Sequence, residues 1–338
     1  MRKLAKIVKI DKLEKHNNAD TLDVCYVGGW TVVAKSGLHQ QGNLVVYCEI
    51  DSWMPHTLAP FLTKEGKEPR EFEGIKGQLL KTARLRGVLS QGLIIPLCDT
   101  NLDASLVVEG NDVSEALGII KYEPPVPSTL NGQMRCAFPG CVPKTDSERI
   151  QNLDEQLQDW KSRGLEFEVT EKLEGTSCTF IKVDNDIHVC SRNWSLYEDE
   201  STAFWKMYHK YNIKSVLDSI SHNCAIQGEI VGPNIQENIY KLNEPKFYVF
   251  NIYNIDEKRY LSSGEMTAIC LCNNLLKVPV DRVYKFTQDT SIEALLGYAD
   301  GPSYLRNETK REGFVYKNIL NPTLNFKTVS NEYLLTKK

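Results

Sequence analysis

The stretch that most constrains this 338-residue chain is a change of apolar period at residue 164. Before it, Ile150, Leu153, Leu157 and Trp160 recur at helical spacing, with Asp146 or Ser147 placed to cap a helix and Gly164 to stop it. After it, Leu165, Phe167 and Val169 alternate with Glu166, Glu168 and Thr170, the period of a half-buried strand. That strand runs straight into Glu171-Lys172-Leu173-Glu174-Gly175-Thr176. Further strands are expected at 178–183, 187–191, 224–230, 246–253, 313–317 and 324–329, with helices near 201–218 and 263–275. Such a mixture requires an α+β domain whose chemistry is borne on a sheet.

The earlier residues follow a different pattern. Short apolar runs at Leu4 to Ile10, Leu22 to Val27, Thr31 to Ala34, Leu44 to Glu49, Leu79 to Leu85 and Leu93 to Pro96 are separated by turns such as Gly28-Gly29, Gly37 and Gln41-Gly42. They predict a small closed or partly closed barrel. Pro124-Pro125-Val126-Pro127 and the polar run to Pro143 then read as a connector. Two domains suit the length, and their expected bounds are 1–122 and 144–338, joined by 123–143.

A net charge of −4 excludes a protein that coats nucleic acid through bulk positive charge, so any such contact must be a local basic patch. The first twenty residues alternate apolar and charged side chains and lack the apolar run of a signal peptide or membrane span. The expectation is a soluble, cytoplasmic protein acting as a monomer. Ten irregularly spaced cysteines suit a reducing compartment. Cys136 and Cys141 offer half of a zinc site, which needs about four ligands, and read more simply as loop or core thiols.

Lys172 stands at a strand end, with Glu174 two residues on and Gly175 letting the backbone turn close to a ligand. A lysine becomes a nucleophile where burial or a nearby cation favours its neutral form, and a metal held by carboxylates supplies such a cation. Alone, Lys-Leu-Glu-Gly also fits a solvated strand end. Ser191-Arg192-Asn193, Gln227-Gly228-Glu229, Phe247-Tyr248-Val249-Phe250, Arg311-Glu312-Gly313-Phe314-Val315-Tyr316-Lys317 and Asn325-Phe326-Lys327 then follow in turn. Each has an ordinary structural reading on its own, but the ordered series is hard to obtain by accident.

In that order the segments resemble motifs I, Ia, III, IIIa, IV and V of the covalent nucleotidyltransferase superfamily of ATP-dependent ligases and mRNA capping enzymes. The resemblance implies that Lys172 accepts AMP and that Arg192 contacts ribose or phosphate. It implies that Glu229 serves the ribose and the metal shell, that Phe250 stacks on adenine, that Glu312 holds metal-bound waters, and that Lys327 stabilises the α-phosphate. Glu174, where many relatives carry aspartate, joins Glu229 and Glu312 as a metal residue for Mg²⁺ or Mn²⁺. Glu171 and Gly175 of motif I belong to the ATP site. Motif V, often Lys-x-Lys, reads Asn325-Phe326-Lys327, and Lys317 is the candidate for the second basic group.

DNA ligases and capping enzymes carry an OB domain after motif V, whereas only residues 328–338 follow Lys327. The chain instead resembles the RNA ligases whose OB domain precedes an ATP-grasp-like nucleotidyltransferase domain. Lys144 to Asn152 is similar to that family's segment ahead of the core, which places Arg149 at the ATP phosphates and Gln151 near adenine. Glu14 to Leu22 with Val32 to Leu38 resembles OB-type tRNA-binding modules. The basic block Lys81-Thr82-Ala83-Arg84-Leu85-Arg86-Gly87 is a candidate to track a phosphate backbone, or simply a basic hairpin. The implied activity is ATP-dependent RNA ligation through lysyl-AMP and RNA-adenylate, joining 3′-OH and 5′-phosphate ends or nicks in RNA repair. The rivals are a DNA ligase or capping enzyme, and a non-catalytic RNA-binding protein.

Overall fold

The computed structural model describes residues 2–124, 132–184 and 186–337. The chain divides into two compact units, one up to Pro125 and one from Val126 to Lys337.

The first unit is built from short strands. One sheet pairs Ala5–Lys9 with Leu44–Cys48 and Leu93–Pro96, and a second pairs Lys12–Lys15, Leu22–Val27 and Trp30–Lys35. A third contains Ser52–Pro55 and Ile75–Leu79. One buried cluster gathers Ile7, Val46, Met54 and Ile95, and another gathers Cys25, Trp30, Val32 and Tyr47. The run expected from Leu79 to Leu85 is broken: Leu79 ends one strand, and Ala83–Leu85 begins a separate hairpin with Val88–Ser90. Arg86 (φ 48°) and Gly87 (φ 98°) turn this hairpin. His16 Nε2 lies 3.0 Å from the Leu85 carbonyl, and Asn18 Nδ2 donates to the Arg86 carbonyl at 3.3 Å.

The second unit carries two large sheets. The smaller runs Glu148–Arg149, Asn325–Val329, Gly313–Asn318, Glu166–Lys172, Val280–Lys285. Strand alternation divides its residues between two faces. Phe167, Val169, Phe314, Tyr316 and Phe326 form one face, buried against Leu157 and Trp160 of the helix Asp154–Arg163. Tyr316 and Phe326 stack at 4.5 Å, and Trp160 covers Phe326 at 5.3 Å. Such contacts add about 0.5–1.5 kcal/mol each beyond the area they bury. Gly164 ends the helix in the left-handed conformation, as its position predicts. The helix starts later than expected because Glu148–Arg149 pairs in parallel with Phe326 and Lys327, leaving Asp146 and Ser147 ahead of that bridge instead of at a cap.

The larger sheet is built on Thr176–Val183, Cys224–Val231 and Lys246–Asn254. Its buried face holds Cys178, Phe180, Ile226, Ile230, Phe247 and Val249 under the helices Ala203–Lys210 and Ile213–Ser219. The single helix expected over 201–218 is split at Asn212, whose φ is 46°. The helix Ser263–Cys272 carries a capping box from Ser262 and Glu265. Of the expected connector, Met134–Ala137 is an edge strand of this sheet, pairing with Trp194–Leu196, and residues 125–131 lie outside the described residues. Cys136 and Cys141 are exposed and unpaired.

Candidate active site

The face of the smaller sheet opposite its aromatic core carries the cations. Lys172 opposes Gly313, Val315 opposes Lys327, and Lys327 opposes Arg149 across the parallel bridge. These pairings, with the two-residue repeat, place Lys172, Lys317, Lys327 and Arg149 on one surface. Lys172 Nζ reaches Glu312 Oε1 at 2.5 Å. Glu312 stands there because Gly313, next to it, begins the strand at the Lys172 position. Gly313 has φ 149° and lies so close to Thr328 that a Cβ would fall 2.0 Å from its carbonyl oxygen, so only glycine fits.

The larger sheet supplies Glu229 and Phe250. Glu229 opposes Ser177 on one side and Tyr248 on the other. Its electrostatic neighbours are Lys172, Glu312 and Arg192, which places it beside the Lys172 amine. Gly228 pairs with Val249 but Gln227 pairs with Asn251, so Phe250 is the extra residue of a β-bulge. Bulges re-aim side chains next to active sites, and this one leaves Phe250 half-buried, off the regular core face. Lys317 bridges the sheets by donating to the Phe250 carbonyl, with its ammonium 5.7 Å from the Phe250 ring centre.

The electrostatics follow from burial. Burial first, and then the Glu312 charge, push the Glu229 carboxyl up to about 8, while Lys172 and Arg192 oppose the shift. Burial first, and then the cations of Lys172 and Arg149, lower Lys327 to about 8. Burial lowers Lys317 to about 8 as well. A buried carboxyl without an ion-pair partner beside crowded cations suits a ligand that carries phosphate charge and a divalent ion.

The donors fit such an ion. Among the described residues the Glu229 carboxylate has no hydrogen bond or ion pair, and Glu229 and Glu312 together offer the oxygen ligands that Mg²⁺ and Mn²⁺ prefer. No three carboxylate, imidazole or thiol groups among the described residues converge as a metal-binding cluster. Glu174 stands apart from the pair: its carboxylate meets Lys337, and its backbone N–H donates to the Tyr240 hydroxyl at 2.7 Å.

The remaining expected residues fall in different places. Arg192 is exposed and pairs with Asp146 at 2.7 Å. Gln151 is buried, and its Oε1 has no hydrogen bond among the described residues. The expected ATP-site role of Glu171 does not extend to its side chain. Glu171 follows the alternation onto the core side of its strand, is 1% exposed, and accepts from the Tyr304 backbone N–H at 2.9 Å. It therefore holds the loop leading to Glu312. Gly175 makes its close approach to the neighbouring strand, where a Cβ would lie 2.3 Å from the Ile230 carbonyl oxygen. Sequence reasoning quoted Arg311 but gave it no role; its guanidinium lies 4.5 Å from the Phe314 ring centre and 5.2 Å from that of Tyr304 in the same loop. Sequence reasoning missed Tyr240, Tyr333 and Lys337 around Glu174, which come from segments with no local motif.

A lysine facing carboxylates between two sheets, with further cations beside it, defines a nucleotidyltransferase domain of the ligase type, which follows a strand-built module in sequence. The RNA ligase family model matches residues 165–329, and an OB-fold domain model matches residues 4–97. Solved structures of Naegleria gruberi RNA ligase are similar over both units. A lysine-to-methionine variant with AMP and Mn is 39% identical, with 99% of each chain covered and a TM-score of 0.85. A lysine-to-alanine variant with ATP and Mn, and the ligase with PPi, are each 39% identical with 99% of each chain covered and a TM-score of 0.84. No match was found among curated protein sequences. The chain belongs to the RNA ligase family and is an RNA ligase.

Proposed function

We propose that this ATP-dependent RNA ligase joins 3′-OH and 5′-phosphate RNA ends through a lysyl-AMP on Lys172. The observation that carries the reading is the placement of Lys172 against Glu312 at 2.5 Å, with Glu229, Lys327 and Arg149 around it. The likeness to ligase structures holding ATP, AMP and Mn supports the choice of nucleotide and metal.

In the first step the neutral Lys172 amine attacks the α-phosphorus. A P–N bond forms, the bridging P–O bond breaks, and pyrophosphate leaves. Lys327 and Arg149 meet the phosphate oxygens and offset the charge that builds there. Arg192 takes ribose or phosphate once Asp146 releases it. Phe250 stacks on adenine from its bulge, with Lys317 fixing the backbone beneath it. The Gln151 amide, whose oxygen has no hydrogen bond among the described residues, can accept from the adenine amine. Glu229 and Glu312 would hold the divalent ion, directly or through water, with Glu174 reaching its water shell. When bound, that ion neutralises phosphate charge and helps the leaving group depart.

AMP then passes to an RNA 5′-phosphate, and a 3′-hydroxyl displaces it. The OB unit contributes the RNA contact through the exposed hairpin bearing Arg84 and Arg86, with Lys81 just ahead of it. Repair of broken or nicked RNA by a cytoplasmic monomer is the role that suits this chemistry. Ten unpaired cysteines fit a reducing compartment, and no described helix is long and apolar enough to cross a membrane.

The test is incubation with α-³²P-labelled ATP or GTP and Mn²⁺, reading label retained on denatured protein beside Lys172→Ala. Label from ATP alone, lost in the variant, is expected. Label from GTP would point to capping chemistry. No label on a chain shown by intact mass to be free of AMP would leave an RNA-binding protein.

A further inference from the structure

Of the carboxylates grouped near Lys172, Glu312 and Glu174 each form an ion pair, and the partner of Glu174 comes from an unexpected place. Lys337 follows the helix Asn331–Thr336 and forms an ion pair with Glu174, two residues past the nucleophile. Its second partner is Glu237 at 3.3 Å. The Glu174 side chain is 7% exposed and that of Lys337 29%, so the pair is shielded from water on the carboxylate side.

The helix that delivers Lys337 is firmly anchored. Ser330 caps it, donating its hydroxyl to Asp300 at 2.7 Å, while the Glu332 N–H donates to the same oxygen at 3.1 Å. The Ser330 N–H donates to the Glu312 carbonyl at 2.9 Å, tying the helix to the motif IV residue itself. Tyr333 is buried, its hydroxyl faces Glu174, and Lys337 sits 4.9 Å from its ring centre.

Two of the carboxylates assigned to the divalent ion therefore each carry a lysine, Glu312 with Lys172 and Glu174 with Lys337. Lys172 must leave its partner to attack phosphorus. Lys337 has no such task, and its removal leaves the Glu174 carboxylate without its ion-pair partner. We propose that Lys337 is a resident counter-ion of Glu174, which competes with the divalent cation and lets go as the ion's water shell forms. The inference rests on Glu174 serving that shell. Glu237, 62% exposed on the side chain, is the alternative partner that receives Lys337 after release.

The experiment is a titration of the unadenylated full chain with Mn²⁺ at saturating AMP, which lacks a pyrophosphate leaving group and cannot react. Bound Mn²⁺ is read from loss of the free-ion paramagnetic resonance signal. Lys337→Met is expected to tighten Mn²⁺ binding about two- to fivefold, the size expected for a partly exposed ion pair. Glu174→Gln is expected to weaken binding, and Lys337→Met added to Glu174→Gln is expected to change nothing further. If Glu174→Gln leaves Mn²⁺ binding untouched, the metal role of Glu174 fails. If Glu174→Gln weakens binding but Lys337→Met leaves it equal or weaker, the counter-ion proposal fails and the metal role stands. Thermal melting without Mn²⁺ checks that each variant folds, and Lys337→Arg, which keeps the charge, is expected to bind as the wild type does.

Discussion

Lys172 Nζ lies 2.5 Å from Glu312 Oε1, although 140 positions separate the two residues. The contact follows from sheet register, because Lys172 opposes Gly313 and Glu312 immediately precedes it. On the proposed roles, Lys172 waits in an ion pair with a carboxylate of the metal site, and cation binding is expected to be coupled to release of the amine.

Replacing either partner tests this coupling. Lys172→Ala is expected to lose lysyl-AMP formation altogether. Glu312→Gln keeps the nucleophile but is expected to slow the step by about 10²-fold or more, the scale of losing one electrostatic contact to the transition state. Single-turnover labelling measures both, and a Glu312→Gln rate within a few-fold of wild type would remove Glu312 from the reaction.

Glu229 is expected to reduce stability while serving function. Its carboxyl is pushed from 4.5 up to about 8, chiefly by burial. A raised carboxyl costs nothing below pH 4.5, where both folded and unfolded states are protonated, and its cost grows as pH rises towards 8. Glu229→Gln should therefore match wild type at low pH and exceed it by about 1–2 kcal/mol near neutrality, after allowance for partial solvent access. Denaturant melts across pH read this directly, and the same variant is expected to lose adenylylation.

Lys327 predicts a different pH effect. Its ammonium, lowered to about 8, is lost as pH rises through that value, and with it the positive charge proposed to serve the α-phosphate. The kcat/KM for lysyl-AMP formation is expected to fall above pH 8 in the wild type. Arginine stays charged throughout, so Lys327→Arg should keep a flatter alkaline profile even if its overall rate is lower. Parallel profiles for the two proteins would assign the fall to another group.

The bulge at Phe250 should matter mainly for nucleotide binding. Phe250→Ala is expected to raise the KM for ATP about three- to tenfold, the value of one aromatic stack, and Phe250→Tyr to restore it. An unchanged KM would mean that the ring serves only the packing around Tyr248 and Val231.

The hairpin of the first unit predicts a salt effect. If Lys81 and Arg86 meet RNA phosphates, replacing both with alanine should flatten the slope of log affinity against log salt by about 0.7 per lost contact on a single strand. Lysyl-AMP formation needs no RNA and reports that the variant is folded. An unaltered slope would leave this hairpin as a basic surface turn.

Much of this was legible because strands advertise their two faces. The alternation through Phe167 and Val169 located the Lys172 strand, and Leu22–Val27 and Leu93–Pro96 fall where their apolar runs predict. The same alternation, carried one residue further, separates Glu171 from Lys172, yet motif proximity pulled both into the site. The edge strand Val280–Lys285 stayed hidden because its residues are mostly exposed and carry no clear period. The bulge at Phe250 depends on the partner strand, which no single segment encodes. Lys337 was invisible for a similar reason: its partner Glu174 lies 163 residues away.

The Lys172 strand lies between neighbours that follow it in sequence by more than a hundred residues, Val280–Lys285 on one side and Gly313–Asn318 on the other. The bridge that seats Arg149 waits longer still, for Asn325–Val329. Such long-range pairing forms late. A growing polypeptide on the ribosome thus carries Lys172 exposed and without its carboxylate until Glu312 has been made, and without its full set of phosphate-binding cations until Lys327 has followed. On the roles proposed for Lys172, Glu312 and Lys327, self-charging with AMP waits until the strand Asn325–Val329 has been made and paired.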